Sequence, residues 1–160
     1  MKFRLPASFV LDRVTLRPNE LAYGYTHGWL DDSAVVRIAE RMLVDDQRIL
    51  PPVEGLALLL SAESWRVPEL VDEINDNVEG DVGRVWLYLA LDWLSEHRGE
   101  FSDPYEVIEM LYADFDYPPE IEGIVRFMPS PLGAATGLDV IDQHWREYLR
   151  QRAKEYSLRE

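Results

Sequence analysis

One apolar stretch, GRVWLYLALDWLSEH from Gly83 to His97, constrains the fold more than any other part of this sequence. Its apolar residues leave almost no polar face, and a strand of this length would be unusual, so the stretch predicts a helix of about four turns. A surface helix has one apolar stripe, whereas a helix that is apolar nearly all round needs neighbours on several sides. We therefore expect a buried central helix over residues 83–97, with Gly99 as its C-terminal cap.

Other segments carry helical signals as well. Asp31 or Asp32 is placed to cap a helix, and Asp103 is placed to cap another that begins with Pro104. Most connections are short, which makes consecutive helices antiparallel neighbours.

The fold class predicted from these signals is all-α. We expect a single domain over residues 1–160, with about eight helices in antiparallel hairpins packed around the central helix. Pro118 and Pro119 are expected to begin the seventh of these helices, which would extend to Phe127. Residues 7–13 are compatible with either a strand or a first helical turn.

Cysteine is absent from the chain, which excludes disulfides and thiolate metal sites and fits a cytoplasmic protein. Pro6 and Asp12 interrupt the N-terminal apolar run, so we expect no secretory signal there. The central stretch is too short and too charged at its ends to span a membrane.

Negative charge is concentrated in the middle of the chain. The formal net charge is −14, but residues 18–144 hold 7 basic and 26 acidic residues, a net charge of −19. Such a surface repels phosphate backbones and anionic lipids and attracts basic proteins. The sequence therefore predicts a basic protein partner, with no nucleic acid and no membrane among the partners. A simpler interpretation is that the acidity only keeps the protein in solution.

The sequence does not contain a recognised catalytic pattern. There is no phosphate-binding loop and no GxSxG, and His27, His97 and His144 are far apart, which favours surface or capping roles. Carboxylates around Asp114 and Asp116 leave a metal-dependent enzyme as an alternative, although this DxD lacks the glycine and the spaced ligands of a calcium loop. We predict no catalytic residues, no metal site and no cofactor.

The most distinctive segment is YADFDYPPEIEGIVRFMP, residues 112–129, which combines acidic residues, aromatic residues and a double proline. Aromatic side chains in turns are candidates for exposed contact residues. The candidate partner-binding residues are eight acids and two aromatic residues: Asp45, Asp46, Asp72, Asp76, Asp114, Asp116, Glu120, Glu122, Trp65 and Tyr117.

This segment resembles a signature of the bacterial family called domain of unknown function 2247. Three other stretches agree with that family: FVLDRVTLRPNELAYGYTHGWLD, VWLYLALDWLSEHRGEF and DPYEVIEMLYADF. The resemblance covers roughly residues 9–129, and it carries no catalytic residues because the family has no established activity. It implies membership among immunity-type proteins that are encoded beside secreted bacterial toxins.

The function expected from charge and resemblance together is that of a non-enzymatic immunity protein, which neutralises a toxin domain by direct contact. The alternatives are the metal-dependent enzyme and a structural or scaffolding helical protein with no catalytic role.

Overall fold

The computed structural model describes residues 4–45, 51–59, 61–75, 83–125 and 138–158. Within these ranges every regular element is a helix, so the chain is all-α, as predicted. The α-helices are α1 (Ala7–Arg13), α2 (Pro18–Thr26), α3 (Asp32–Asp45), α4 (Pro51–Ala57), α5 (Val67–Asn75), α6 (Arg84–Glu96), α7 (Pro104–Asp114) and α8 (Leu138–Ser157). Three short 3₁₀ segments accompany them: Ser61–Arg66, Arg98–Glu100 and Pro119–Ile124.

Helix α6 is the predicted central helix, and its burial follows from its composition. The seven consecutive residues from Val85 to Leu91 are each at most 3% exposed, which leaves no solvent-facing stripe in this part of the helix. The described residues cluster into two compact units, residues 2–86 and residues 87–159, and the division between them falls inside α6. The single domain over residues 1–160 stays a prediction.

The first unit contains α1 to α5. Helix α3 packs against α4, α4 against α5, and α2 against α5. Helix α2 crosses the indole of Trp86 at Gly24, where a side chain would overlap the ring. The Trp86 Nε1–H donates to the backbone oxygen of Glu20 at 2.8 Å, so the buried indole also satisfies its only polar atom.

The second unit contains the rest of α6 together with α7 and α8. Trp145 of α8 is fully buried, and its Nε1–H donates to the backbone oxygen of Leu91 at 3.2 Å. Asp142, one turn earlier, accepts hydrogen bonds from Tyr105 Oη at 2.8 Å and from Arg98 Nη1 at 3.0 Å. Burial, followed by the hydrogen bond to Asp142, raises the pKa of Tyr105 above its ordinary value.

Two sequence predictions about this part of the chain are wrong. The double proline does not begin an α-helix, because residues Pro119–Ile124 form only a 3₁₀ segment, and Phe127 lies outside the described residues. Gly99 does not cap α6: that helix ends at Glu96, and Gly99 lies in the following 3₁₀ turn without a positive φ angle. Residues 7–13, whose sequence is compatible with a strand or a helical turn, form α1.

Candidate functional site

The predicted segment begins in the last turn of α7, and the start of that helix is fixed as the sequence indicates. Asp103 Oδ1 accepts hydrogen bonds from the backbone N–H groups of Tyr105 at 3.2 Å and Glu106 at 3.4 Å, with Pro104 at the first helical position. An aspartate cap satisfies amides that would otherwise lack partners in the first turn. The start of α7 is therefore set by residues adjacent in sequence.

Helix α7 ends in a Schellman motif. The backbone N–H of Tyr117 donates to the Tyr112 oxygen at 2.8 Å, and the N–H of Asp116 donates to the Ala113 oxygen at 3.2 Å. Asp116 and Tyr117 both have positive φ angles, 61° and 56°. The left-handed region suits glycine, and aspartate tolerates it better than most other residues. The chain therefore turns sharply here without a glycine.

The same turn presents an exposed tyrosine. Tyr117 is 60% exposed, and its ring meets the edge of the Tyr112 ring at a centroid distance of 5.2 Å and an angle of 82°. Contact between these two positions is the hydrophobic contact that accompanies a Schellman motif. Tyr117 is thus held by its backbone hydrogen bond to Tyr112, by the adjacent Asp116–Ala113 hydrogen bond and by one aromatic contact, although most of its surface faces water. We call residues 112–122 the acidic turn.

Carboxylates dominate the charge around this tyrosine. Between Arg98 and Arg126 the sequence holds eight acidic residues and no basic residue. Partial burial raises the pKa of the Tyr112 hydroxyl, and the Glu122 carboxylate and the Tyr117 phenol raise it further, which places Glu122 close to the tyrosine pair. The tyrosine pair therefore lies in a negative local field.

One acid of the turn is already engaged. Glu120 Oε2 lies 3.7 Å from Arg152 Nη1 on α8, and the same Arg152 atom lies 2.9 Å from Glu155. Asp116 and Glu122 are exposed to solvent. These two carboxylates, rather than Glu120, are placed to attract a basic partner.

Helix α8 packs against the 3₁₀ segment of the acidic turn. Ile121 and Ile124 of the 3₁₀ segment are buried, and the Gly123 oxygen accepts a hydrogen bond from His144 Nδ1 at 3.0 Å. A β-carbon at Gly123 would lie 3.1 Å from that nitrogen, so glycine permits this close approach. With about three residues per turn, the 3₁₀ segment thus buries Ile121 and Ile124, whereas Glu122 and Gly123 between them are exposed.

The other candidate residues do not belong to the acidic turn. Trp65 is 71% exposed in the 3₁₀ segment that precedes α5, and Asp72 is exposed on α5, both in the first unit. Asp45 is the last residue of α3. Asp46 and Asp76 lie outside the described residues. Five residues of the predicted set lie together in the acidic turn: Asp114, Asp116, Tyr117, Glu120 and Glu122.

All three histidines have capping contacts of one kind. The Nδ1 atoms of His27, His97 and His144 lie 2.9 to 3.0 Å from the backbone oxygens of Tyr23, Trp93 and Gly123. Because a carbonyl oxygen only accepts, each Nδ1 carries the hydrogen. His27 also stacks on Tyr23 with ring centroids 3.8 Å apart, and His97 stacks on Trp93 at 3.7 Å. In the part of the chain that the structure describes, no three His, Asp or Glu side chains form a group that could hold a metal ion.

Sequence reasoning missed Tyr112 as a member of this site. A tyrosine five residues before another one, across the end of a helix, is the spacing of the two side chains that touch in a Schellman motif. The spacing alone is a weak signal, because the motif usually has glycine at the position that Asp116 occupies here.

No helix of the described ranges is both long and apolar enough to cross a bilayer.

Comparison with known proteins extends the resemblance noted above. Searches of curated proteins and of solved structures find no match. A family model, described as an uncharacterized protein conserved in bacteria (DUF2247), matches residues 7–153. This match extends beyond the 9–129 read from the sequence and takes in most of α8, so the chain belongs to the DUF2247 family.

Proposed function

We propose that this protein is an acidic protein-binding domain without catalytic activity, and that its partner is a basic toxin domain that it neutralises by direct contact. The observation that carries the proposal is the acidic turn. Backbone hydrogen bonds fix the exposed Tyr117 there, and several carboxylates lie near it in the same turn. Exposed aromatic residues are frequent among the residues that contribute most to binding energy.

The geometry suits rapid recognition of a basic surface. Asp116 and Glu122 are exposed beside the tyrosine pair, and the overall charge of −14 would draw a basic protein toward this chain. Since the Schellman motif already fixes the turn, little conformational entropy remains to be lost when a partner binds. Toxins that act on nucleic acids have basic active sites, and an acidic surface over such a site would exclude the substrate.

The test uses the protein encoded next to this chain in its own genome. We expect tight binding, measured by stopped-flow association at low and at high salt. The double variant Asp116→Asn/Glu122→Gln should associate about 3- to 30-fold more slowly at low salt, and this difference should shrink at high salt. Tyr117→Ala should instead accelerate dissociation, with a loss of about 1–3 kcal/mol in binding free energy.

A matched control separates the acidic turn from bulk charge. Glu40→Gln/Glu54→Gln removes the same number of charges from exposed positions on α3 and α4. If this control slows association as much as the first double variant does, only total charge matters and the acidic turn is not the binding surface. If the neighbouring protein does not bind at all, the proposed function is wrong.

A further inference from the structure

A second feature of the molecule lies in the first unit, at the junction of α2 and α3. A cavity of about 480 Å³ opens there, and its lining includes Arg4, Tyr25, Gly28, Asp31 and Asp32. Its volume lies within the range of about 300–1,000 Å³ that is typical of small-molecule sites. The acidic turn belongs to the other unit, so the proposed function does not use this cavity.

Local backbone structure shapes the cavity. Helix α2 ends in a Schellman motif in which Gly28 has a φ of 83°, and the N–H of Trp29 donates to the Gly24 oxygen at 2.8 Å. The chain then turns directly into α3, where Asp31 Oδ1 accepts a hydrogen bond from the Ala34 N–H at 2.8 Å. The end of one helix and the start of the next are thereby fixed on two sides of the cavity.

The lining carries charges of both signs. The Tyr25 hydroxyl donates a hydrogen bond to Asp32, and burial together with this bond raises the pKa of Tyr25 to about 12. Arg4 acts on the same hydroxyl with the opposite sign, as a nearby positive charge. Within the described residues Arg4 forms no ion pair, so its guanidinium and the two aspartates face one cavity without neutralising each other in a direct contact.

Opposite charges on one cavity wall match a ligand that also carries both. We propose that this cavity binds a basic amino acid, with the ligand carboxylate on Arg4, its α-ammonium group on Asp32 and its side-chain cation on Asp31. A guanidinium pairs well with a carboxylate because its N–H groups form a planar fork. Two aspartates against one arginine leave a surplus negative charge, which a side-chain cation of the ligand balances. A ligand with only negative charge would be opposed by the two aspartates and by the overall charge of −14.

The experiment is an NMR titration of the full chain with three probes, followed through the backbone amides of residues 24–34. L-arginine carries all three charged groups, agmatine lacks the carboxylate, and Nα-acetyl-L-arginine lacks the α-ammonium charge. We expect L-arginine to bind in the millimolar range and each truncated probe to bind at least about fivefold more weakly.

Two variants assign the contacts. In Arg4→Gln the advantage of L-arginine over agmatine should disappear, and in Asp32→Asn its advantage over Nα-acetyl-L-arginine should disappear. Both side chains lie at least partly at the surface, and thermal unfolding of each variant verifies that the fold is kept. The proposal is overturned if L-arginine shifts no amide of this region at about 20 mM, if the three probes bind equally, or if neither variant changes their order.

Discussion

Asp116 occupies the position where helices that end in a Schellman motif most often have glycine. Helix α2 shows the usual arrangement, with Gly28 at a φ of 83°, whereas α7 has Asp116 at 61° with the same two backbone hydrogen bonds. A side chain in this region costs about 1–2 kcal/mol, less for aspartate. This backbone strain lies at Asp116, the residue that contributes an exposed carboxylate beside Tyr117. Strain that is retained for function would be expected at such a position.

Replacing Asp116 by glycine should therefore stabilise the protein. We expect the free energy of unfolding to rise by up to about 1 kcal/mol, seen as a higher urea midpoint at an unchanged slope. The opposite change at the equivalent position of α2, Gly28→Ala, should lower it by a similar amount, because a β-carbon there meets no atom within 4 Å and only the backbone conformation is affected. Asp116→Asn removes only the charge, because asparagine, like aspartate, tolerates a positive φ angle. A destabilised Asp116→Gly variant would mean that the carboxylate makes a stabilising contact.

Tyr25 gives a prediction about pH. Its pKa is raised from 10.0 to about 12 in the folded chain, so the native state holds this proton more tightly than the unfolded state does. The resulting stabilisation is complete below about pH 10 and is lost as the pH rises toward 12. Urea unfolding across this range should show a smaller decline for Tyr25→Phe than for the wild type. Parallel declines would contradict the raised pKa of Tyr25, which burial and the hydrogen bond to Asp32 produce.

At the scale of elements, the contact between α2 and the indole of Trp86 depends on a missing side chain. Gly24→Ala would place a β-carbon into that ring and disturb the Trp86 hydrogen bond to Glu20. Overpacking of this kind costs about 1–3 kcal/mol, which thermal or urea unfolding would detect. Gly99→Ala is the matched control, because a β-carbon there meets nothing within 4 Å and its φ is not positive, so it should be neutral or slightly stabilising.

Helices with strong local signals were predictable from the sequence. The apolar run from which a helix over residues 83–97 is predicted corresponds to α6 at Arg84–Glu96. A run of this length is too long for a typical strand, and a buried helix accommodates its apolar side chains. Asp31 and Asp103 cap α3 and α7 because their carboxylates reach the first amides of the helix, which depends only on neighbours in sequence. Local chemistry was sufficient in these places.

Features that depend on contacts between distant parts of the chain were not predictable. The Pro119–Ile124 segment has apolar residues at helical spacing, yet its 3₁₀ form lies against α8, where Gly123 meets His144. Of the features described above, the acids and Tyr117 of residues 114–122 were candidates from the sequence, whereas Tyr112 and the cavity beside Tyr25 were not. That these residues bind a partner stays a prediction. The predicted acids of α3 and α5 lie in the other unit, because charge alone does not specify a place in the fold.

At the scale of the whole molecule, negative charge is in excess, and two arginines of α8 are paired with carboxylates of the same helix. Arg150 bonds to Glu147 at 2.6 Å, and Arg152 lies 2.9 Å from Glu155. The Arg150 hydrogen bond lowers the pKa of Glu147, as expected for such a pair. Such pairing does not change the balance of charges: 16 basic residues stand against 30 acidic residues, so the molecule has a net charge of −14.

Self-repulsion of that charge should make the fold respond to salt. We expect the thermal midpoint to rise by a few degrees between about 20 mM and about 300 mM NaCl, because screening acts on repulsion between exposed carboxylates. The double variant Glu40→Gln/Glu54→Gln should start higher and gain less. A midpoint that falls with salt would show instead that ion pairs such as Arg98–Asp142, with 3.0 Å between the charged atoms, outweigh the repulsion. A basic partner would reduce the repulsion between carboxylates as salt does. Its complex should therefore unfold at a higher temperature, and its thermal midpoint should respond less to added NaCl.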